Sequence, residues 1–592
     1  MSNKFYTVLQ DKWKLGLTLA FYLTVLLFWG NTYSAHLSYQ EQFQLFLFGA
    51  DYWWERVAVP GGVADYVAEY LTQFYHSPST GAFILAVLFV ALQLLVWKLM
   101  KAQKTADMYY PLSFLPAILL WHFMCDENAM LAFVVALLLA LLAACAYTDL
   151  KDKWTRVCFI VILLPLLYWI AGPVHFIFMG WVIVRELLNC MKQRNFFRAV
   201  SMIFGVGLLG LACPLLSSLW VQYPLYRLMG GIGYYRFPAA IPWIEIVIGL
   251  LLVILPFIAA SLPQLKKKVF LYGVLQIAVI ACGGYYFITA GCDMDKEEAM
   301  DYDRLVRNKQ WVEIIKKAEQ KSPASPFSVT CQNLALGMTG QLGDRMFEFY
   351  QNGTEGLLPE FQRDFTSPLP ASEAYYYLGM INTAERFTFE AMEAIPNFRK
   401  SARCYQRLAE TNLINGQYEV ATKYLRALRK TMFYKDWAED AMTYLYNEDK
   451  INAHKEWGQL RQFCYKEDFL FSNREIDMML GLLYMSNQQN RMAFEYLLGY
   501  VMQKRDLNRF MKYYPLGKNA GYDHIPRSYQ EALVYMWTQK HKSFEGMPWS
   551  ISPEVMRDVT DFARIYTSQQ NAQQFLQQRY GGTYWYYLLF KQ

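Results

Sequence analysis

The chain has 592 residues and a formal net charge of +6, with 55 % hydrophobic, 17 % aromatic and 18 % charged residues. It is too apolar for an average soluble protein, yet its mean hydropathy of +0.09 is too low for a protein made only of membrane spans. In the apolar first half most basic residues lie in short loops between apolar runs, and the sequence shows no basic, aromatic-interleaved surface, so we expect no nucleic acid among its partners.

Apolar runs dominate the first half of the chain. Each approaches the ~20 residues that a helix needs to cross ~30 Å of hydrocarbon. No small-residue cleavage site follows the first run and further spans come after it, so we expect no cleavable signal peptide. The nine runs cover residues 15–34, 81–97, 109–124, 129–147, 157–172, 174–189, 199–218, 241–261 and 269–290. We therefore predict an all-α fold whose residues 1–291 form a transmembrane helix bundle of about nine spans.

The positions of lysine and arginine predict the orientation of this bundle. The loops between alternate spans are almost free of basic residues, holding only Arg56, Arg227 and Arg236. By the positive-inside rule the remaining loops and the N-terminus are cytoplasmic, and an odd number of spans then places residues 292–592 in the periplasm of a bacterial inner-membrane protein. The basic loop residues are Lys4, Lys12, Lys14, Lys98, Lys101, Lys104, Lys151, Lys153, Arg156, Lys192, Arg194, Arg198, Lys266, Lys267 and Lys268.

The first outer loop, residues 35–80, combines aromatic residues with acids. YQEQFQLFLFGADYWWERVAV and GGVADYVAEYLTQFYHS have apolar residues at helical spacing, and Pro60-Gly61-Gly62 separates them. We predict two amphipathic helices in the membrane interface, with Trp and Tyr at headgroup level. The acids of this loop are Glu41, Asp51, Glu55, Asp65 and Glu69.

Other outer segments add ionisable groups near the ends of spans. These are His122 in WHFMCDEN, His175 in AGPVHF, and Arg227 and Arg236 in YRLMGGIGYYRFPAAIPWIE. An ionisable group within the membrane boundary is a functional candidate by default. For His122, a hydrogen-bonded interfacial histidine is an equally open alternative.

The second half of the chain predicts repeated helical hairpins. In three segments a Leu-small pair is followed about three helical turns later by Ala, which lets the two helices of a hairpin pack closely. The residues are Leu378, Gly379 and Ala391; Leu408, Ala409 and Ala421; Leu480, Gly481 and Ala493. This pattern resembles the tetratricopeptide repeat and implies an α-solenoid over residues 292–592, whose surface binds a protein partner or acceptor.

The order of spans, acidic first outer loop and C-terminal repeats resembles the GT-C glycosyltransferases, which take sugars from polyprenyl-phosphate carriers in the membrane lipid. The resemblance implies a first-loop carboxylate, Asp51 or Asp65, that acts as general base or positions the acceptor or a divalent metal ion. It also implies that His122, His175, Arg227 and Arg236 contact the acceptor or the departing phosphate. The segment directly after the first span, TYSAHLSYQEQ, holds Glu41 and no Asp.

Other functions stay open at this point. The chain also resembles a family of bacterial membrane proteins without assigned function, and a non-enzymatic scaffold whose repeats bind envelope proteins is the alternative to transfer chemistry. A transporter needs polar groups near the bilayer midplane, and the predicted spans have almost none there. No GxxxxGK[ST], GxSxG, HExxH or CxxC occurs, so nucleotide hydrolysis, serine hydrolysis and zinc sites lack support.

Overall fold

The computed structural model describes residues 2–192, 196–237, 239–264, 269–360, 368–397, 399–467, 474–568 and 571–591. Over these ranges the chain forms helices and no strand, and an isolated β-bridge pairs Ala129 with Tyr235. The predicted all-α fold is confirmed. Of the basic residues used to predict the orientation, Arg194, Lys266, Lys267 and Lys268 lie outside the described ranges.

The chain divides into two compact units. Unit 1 comprises residues 1–294 together with two short segments from later in the sequence, 396–402 and 430–433, and unit 2 comprises the remainder. Both short segments hydrogen-bond to the first outer loop of unit 1: Leu45 N donates to Lys400 O at 3.0 Å, and Phe48 N donates to Lys430 O at 2.8 Å. Unit 1 is therefore discontinuous in sequence.

Among its described residues, unit 1 contains seven helical stretches that are long and apolar enough to cross a membrane, at residues 12–32, 78–102, 131–149, 153–171, 200–217, 243–261 and 269–291. They coincide with seven of the nine predicted spans. The α-helices of this unit are Ser2–Leu27, Ser34–Glu41, Ala50–Val57, Gly62–Thr72, Pro78–Ala102, Leu115–Met124, Leu131–Asp149, Lys153–Ala171, His175–Lys192, Phe196–Ser217, Leu225–Gly230, Trp243–Ser261 and Val269–Gly291, with a π-turn at Phe28–Thr32 and 3₁₀ turns at Gln73–His76 and Asp107–Phe114.

The predicted span 109–124 is a broken helix. It consists of the 3₁₀ segment Asp107–Phe114 followed by the α-helix Leu115–Met124, because Pro111 and Pro116 lack the N–H groups that a continuous helix requires. Near its start the Tyr110 hydroxyl lies 2.6 Å from Thr18 Oγ1. Near its end His122 contacts the C-terminal part of the last apolar helix. The segment thus runs from one end of the bundle to the other.

The predicted span 174–189 forms the helix His175–Lys192, whose last turns carry Arg185 and Glu186. His175 contacts Gly210 at one end, and at the other end Glu186 accepts a hydrogen bond from Tyr147 at 3.1 Å. The described part of unit 1 therefore has seven long apolar helices and two further segments that run between the same ends. Nine membrane crossings and their orientation remain predictions.

The first of the two predicted interfacial helices is interrupted. Residues 34–41 and 50–57 are helical, but residues 42–49 leave the helix, and part of this stretch pairs with the backbone of Lys400 and Lys430. The carbonyl oxygens of Lys400 and Lys430 accept hydrogen bonds from backbone N–H groups that a continued helix would have paired internally. The second predicted helix is present as Gly62–Thr72 and continues into a 3₁₀ turn.

Unit 2 is built from short helices, mostly paired. The three repeat leucines and the alanines Ala391, Ala421 and Ala493 are buried, as close helix packing requires. The tetratricopeptide assignment remains a prediction. The α-helices are Met294–Arg307, Trp311–Gln320, Pro326–Met338, Leu342–Arg345, Pro368–Tyr377, Ile381–Glu393, Ala402–Ile414, Tyr418–Leu428, Lys435–Met442, Glu448–Ala453, Trp457–Phe463, Ile476–Ser486, Arg491–Gln503, Leu507–Tyr513, Arg527–His541, Pro553–Ser568, Ala572–Tyr580 and Tyr584–Phe590, with 3₁₀ turns at Met346–Glu348, Thr354–Gly356 and Tyr514–Asn519.

Candidate functional site

A polar stretch is buried directly after the first long helix of unit 1. Every residue from 35 to 46 is buried, although half of them are polar or ionisable. Burying such groups is costly unless they find partners. One of them, Gln40, donates from Nε2 to the carbonyl of Ala129 at 2.9 Å. The buried polar side chains are His36, Ser38, Gln40, Glu41, Gln42 and Gln44.

Beside this stretch lies a group of five side chains, named here the outer-loop charge cluster: Tyr52, Arg56, Asp65, Glu69 and Arg399. Arg56 Nε lies 3.1 Å from Glu69 Oε2, and Arg399 Nη1 lies 3.4 Å from Glu69 Oε1. Arg399 also forms an ion pair with Asp65, and the Tyr52 hydroxyl donates to Glu69. Two arginines thus face two carboxylates with no net charge.

Local sequence explains how the cluster assembles. Asp65 and Glu69 are four residues apart on one helix, so they share a face. The turn before that helix needs glycine twice: Gly61 has φ +85°, and a Cβ at Gly62 would lie 1.8 Å from the carbonyl oxygen of Arg56. The Pro60-Gly61-Gly62 break therefore folds the helix that carries Arg56 against the helix that carries the acids.

The charges of the outer-loop charge cluster are balanced, but in the described part of the chain two of its buried polar atoms form no hydrogen bond. Glu69 is fully buried, and within the described ranges neither its Oε1 nor Arg56 Nε has a hydrogen-bond partner. Burial raises the pKa of Glu69, and the nearby Arg56 and Arg399 offset this only in part. Burial and the Glu69 carboxylate also raise the pKa of Tyr52, which stays protonated.

Asp65 is the member of the cluster nearest to solvent. Its side chain is 14 % exposed, compared with 0 % for Glu69. The chain passes close beside it at Gly233, where a Cβ would lie 2.9 Å from Asp65 Oδ1 and 3.2 Å from Arg399 Nη2. Only glycine leaves this side of the Asp65–Arg399 pair undisturbed.

Arg227 is connected to the same region through the segment 396–402. Its Nη2 donates to the carbonyl of Ile232 at 2.7 Å and to Asn397 Oδ1 at 3.0 Å. Asn397 Nδ2 donates to the same Ile232 carbonyl at 2.9 Å. Arg227 is buried. Its hydrogen bond to Asn397, which precedes Arg399 by two positions in the sequence, connects it to the segment that carries Arg399.

Arg236 belongs to the buried polar stretch instead. Its guanidinium lies 4.0 Å from the ring centroid of Phe43, and Nη1 donates to the Tyr39 hydroxyl at 3.3 Å. Its backbone N–H donates to Asn128 O at 2.9 Å. The side chain thus lies over the aromatic residues of the first outer loop.

The remaining predicted site residues lie elsewhere. Asp51 is exposed in the first turn of helix Ala50–Val57 and is not part of the cluster. His175 is buried, with its ring nitrogens 3.3 Å from Gly172 O and 3.0 Å from Gly210 O, an arrangement that fastens two helices together. His122 Nδ1 lies 2.7 Å from Phe287 O, which matches the hydrogen-bonded alternative considered for it.

A metal centre finds no direct support in the described part of the chain, where no three His, Cys, Asp or Glu side chains lie close enough together to hold an ion. Asp65 and Glu69 are instead each paired with arginine. The divalent metal ion implied by the GT-C resemblance remains a prediction.

The sequence patterns predict Asp65 and Arg227 as site residues but miss the four other members of the outer-loop charge cluster. Arg56, Glu69 and Tyr52 were visible only as members of an amphipathic loop. Arg399 lies 334 residues from Asp65 and has no local signal. The buried polar stretch does have a local signal in the sequence. Six of the nine residues from His36 to Gln44 are polar, which is too many for a helix lying against lipid.

Comparison with known proteins gives one result. No curated protein and no solved structure matches the chain. A family model described as "Family of unknown function (DUF6057)" matches residues 11–591. The match covers both units, and the chain therefore belongs to this family of unknown function.

Proposed function

We propose that the protein transfers a sugar or glycan from a polyprenyl-phosphate carrier to an acceptor on the periplasmic face of a bacterial inner membrane, with Asp65 as the reacting carboxylate. The observation that carries the proposal is the Asp65–Arg399 pair, which lies at the partly exposed edge of an otherwise buried polar region. A membrane anchor has no need of buried charge in its outer loop, since such groups are costly to desolvate.

The pair suggests how a phosphate-linked donor is activated. A carboxylate bound to arginine is a poor base, because the cation stabilises its ionised form. The phosphate of a lipid-linked donor is a competing anion for Arg399, and guanidinium groups bind phosphate with two parallel hydrogen bonds. Exchange of Asp65 for the donor phosphate on Arg399 frees the carboxylate at the moment when the donor is in place.

The freed Asp65 then accepts the proton of the acceptor hydroxyl, and the oxygen of that hydroxyl attacks the anomeric carbon of the donor sugar. The new glycosidic bond forms while the bond from that carbon to the phosphate oxygen breaks, and the electron pair leaves with the phosphate. Arg399, with Arg227 nearby, stabilises the charge that develops on the leaving group. Unit 2 binds the protein that bears the acceptor.

Complementation of a deletion strain tests this proposal. The deletion is complemented with the wild-type gene, with Asp65→Asn or with Asp51→Asn, and envelope glycoproteins are compared by gel shift and mass spectrometry at matched protein levels. We expect the deletion and Asp65→Asn to lose the same glycans and the exposed control Asp51→Asn to keep them. Full glycosylation by Asp65→Asn at normal abundance refutes the assignment of Asp65.

A second function, as a scaffold that binds envelope proteins, is favoured by a cavity of about 610 Å³ in unit 2. Its lining includes Met338, His454, Gln459 and Arg491, a mixture of apolar and polar groups suited to a peptide. The substitutions Met338→Glu and Gln459→Arg fill it with charge. If a deletion changes no glycan while these substitutions reproduce its phenotype, the scaffold is the function.

A further inference from the structure

Cys125 and Cys292, which are 167 residues apart, meet in unit 1 with their sulfur atoms 3.6 Å apart. Cys125 follows the broken helix at residues 107–124, and Cys292 follows the last apolar helix, Val269–Gly291. From this approach we infer a covalent modification site: the two thiols are oxidised to a disulfide in the mature protein.

The two backbone segments are held together independently of the sulfur atoms. The Tyr33 hydroxyl donates to Cys125 O at 3.2 Å and accepts from Asp293 N at 3.2 Å. One hydroxyl therefore bridges the two cysteine segments. Tyr33 itself is buried, so this bridge is shielded from water.

A second contact lies about one helical turn earlier on both segments. His122 Nδ1 is 2.7 Å from Phe287 O, and the His122 ring stacks on the Phe287 ring with 4.1 Å between centroids. The histidine fits because residue 291 is glycine, where a Cβ would lie 2.5 Å from His122 Nδ1. The cysteines are thus positioned by contacts on each side, and little chain ordering remains for the disulfide to impose.

Different exposure of the two thiols sets the order of the reaction. Cys125 is 1 % exposed, whereas Cys292 is partly exposed. A disulfide of an oxidising thiol–disulfide oxidoreductase is first attacked by the Cys292 thiolate, which releases one oxidant thiolate and leaves a mixed disulfide. Cys125, as its thiolate, then attacks the Cys292 sulfur and displaces the second oxidant thiolate. Two protein thiols lose two electrons and two protons, and the oxidant disulfide becomes two thiols.

The location fits an oxidising compartment. Both cysteines lie at the end of the bundle where Tyr33 ends the first long helix, and the charge distribution predicts that this end is periplasmic. The disulfide would join the end of the last apolar helix to the end of the broken helix at residues 107–124. The first of these ends lies just before unit 2, which begins at residue 295.

Differential alkylation of the full-length protein tests the inference. Membranes from a bacterial host with an intact periplasmic oxidation pathway are denatured in iodoacetamide, then reduced and treated with N-ethylmaleimide, and each cysteine is read by mass spectrometry. We expect Cys125 and Cys292 to carry the second label and the control Cys464, a partly exposed thiol of unit 2, to carry the first. Predominant first labelling of Cys125 and Cys292 overturns the inference.

Serine variants show whether the bond joins these two residues. In Cys125→Ser, Cys292 should shift to the first label, and in Cys292→Ser, Cys125 should do the same, whereas Cys464→Ser should change neither. Reductant should lower the thermal midpoint of the wild-type protein to that of the double serine variant and leave the midpoint of the double variant unchanged. Second labelling of Cys125 in Cys292→Ser contradicts the pairing.

Discussion

Each unit contains a buried charge cluster, and the two clusters differ in how their carboxylates are bound. In unit 2, the repeat-unit charge cluster consists of Asp303, Glu373, Arg403, Arg407 and Glu410. Glu373 accepts hydrogen bonds from Arg403 at 3.0 Å and from Arg407 at 2.6 Å. Burial alone would raise the pKa of Glu373, but these two arginines outweigh it and the pKa is lowered. In unit 1, Glu69 also faces two arginines, yet its pKa is raised.

Hydrogen-bond geometry accounts for the difference. The arginines near Glu69 lie at ion-pair distances of 3.1 and 3.4 Å but leave its Oε1 without a hydrogen bond in the described structure. The neighbouring Asp65 carboxylate also raises the pKa of Glu69. A fully bonded cluster stabilises one arrangement, whereas an incompletely bonded one keeps groups that a ligand can engage. This contrast supports the proposed functional role of the outer-loop charge cluster and predicts a structural role for the repeat-unit charge cluster.

The largest expected effect is the loss of Arg403. Arg403→Met leaves Asp303 and Glu373 buried with fewer cations, and removing one partner of a buried ion pair costs about 3–5 kcal/mol. Amide hydrogen exchange in helices Met294–Arg307 and Ala402–Ile414 measures this loss. The control Arg386→Met removes an exposed pair with Glu390 and should cost about 0.5 kcal/mol or less. Equal losses in the two variants contradict a structural role for the repeat-unit charge cluster.

Loss of Arg399 should cost less. Arg399→Met leaves Glu69 with Arg56 and Tyr52 and leaves Asp65 partly exposed, so we expect about 1–3 kcal/mol. The loss should also depend on pH. The folded pKa of Glu69 is above its ordinary value of 4.5, so stability falls as pH rises from 4.5 towards the folded pKa. Removing a cation widens this window.

The measurement for Arg399→Met is the protection of helix Gly62–Thr72 in hydrogen exchange at pH 5 and pH 8. The difference between variant and wild type should be larger at pH 8, where Glu69 must ionise without Arg399. A deficit that is equal at the two pH values shows that Glu69 does not sense Arg399.

A smaller and opposite effect is expected at Glu531 in unit 2. This carboxylate is buried, and burial raises its pKa to about 7 although Tyr584 N and Arg527 bond to it. The folded state therefore loses stability as pH rises from about 4.5 to about 7. At pH 5, Glu531→Gln and the wild type should have similar stability. At pH 8, Glu531→Gln should be more stable than the wild type by about 1 kcal/mol.

Hydrogen exchange in helices Arg527–His541 and Tyr584–Phe590 measures this change. Glu554→Gln is the matched control, because Glu554 also bonds Arg527 but is 64 % exposed. The control should show no comparable pH dependence. A Glu531→Gln protein that follows the wild-type pH profile refutes the assignment of the titration to Glu531.

Sequence patterns predicted the bundle better than the site. A long apolar run such as that in Pro78–Ala102 forms a helix whatever it packs against, because its length and composition already fit a membrane. The broken segment 107–124 shows the limit: its composition is apolar, but Pro111 and Pro116 decide its backbone. The interruption at residues 42–49 could not be predicted, since part of it depends on pairing with residues 400 and 430.

The site shows the same limit more strongly. The resemblance to GT-C glycosyltransferases implies a carboxylate from the acid-rich first outer loop, and it does not distinguish Asp65 from Asp51. Asp65 differs from Asp51 in its surroundings because it pairs with Arg399, which lies in the distant segment 396–402. Single-sequence patterns report local spacing and composition, and they carry no information about a partner more than 300 residues away.

The most direct test of the central claim measures the donor itself. Polyprenyl-phosphate-linked glycans are extracted from the deletion strain and from deletion cells that carry the wild-type gene, Asp65→Asn or Asp51→Asn, and quantified by liquid chromatography and mass spectrometry. If Asp65 is the reacting group of a lipid-linked transfer, one such glycan accumulates with Asp65→Asn as it does in the deletion, and stays at wild-type level with Asp51→Asn. Equal levels of every lipid-linked glycan in all four strains contradict the account and leave the outer-loop charge cluster without a role in glycan transfer.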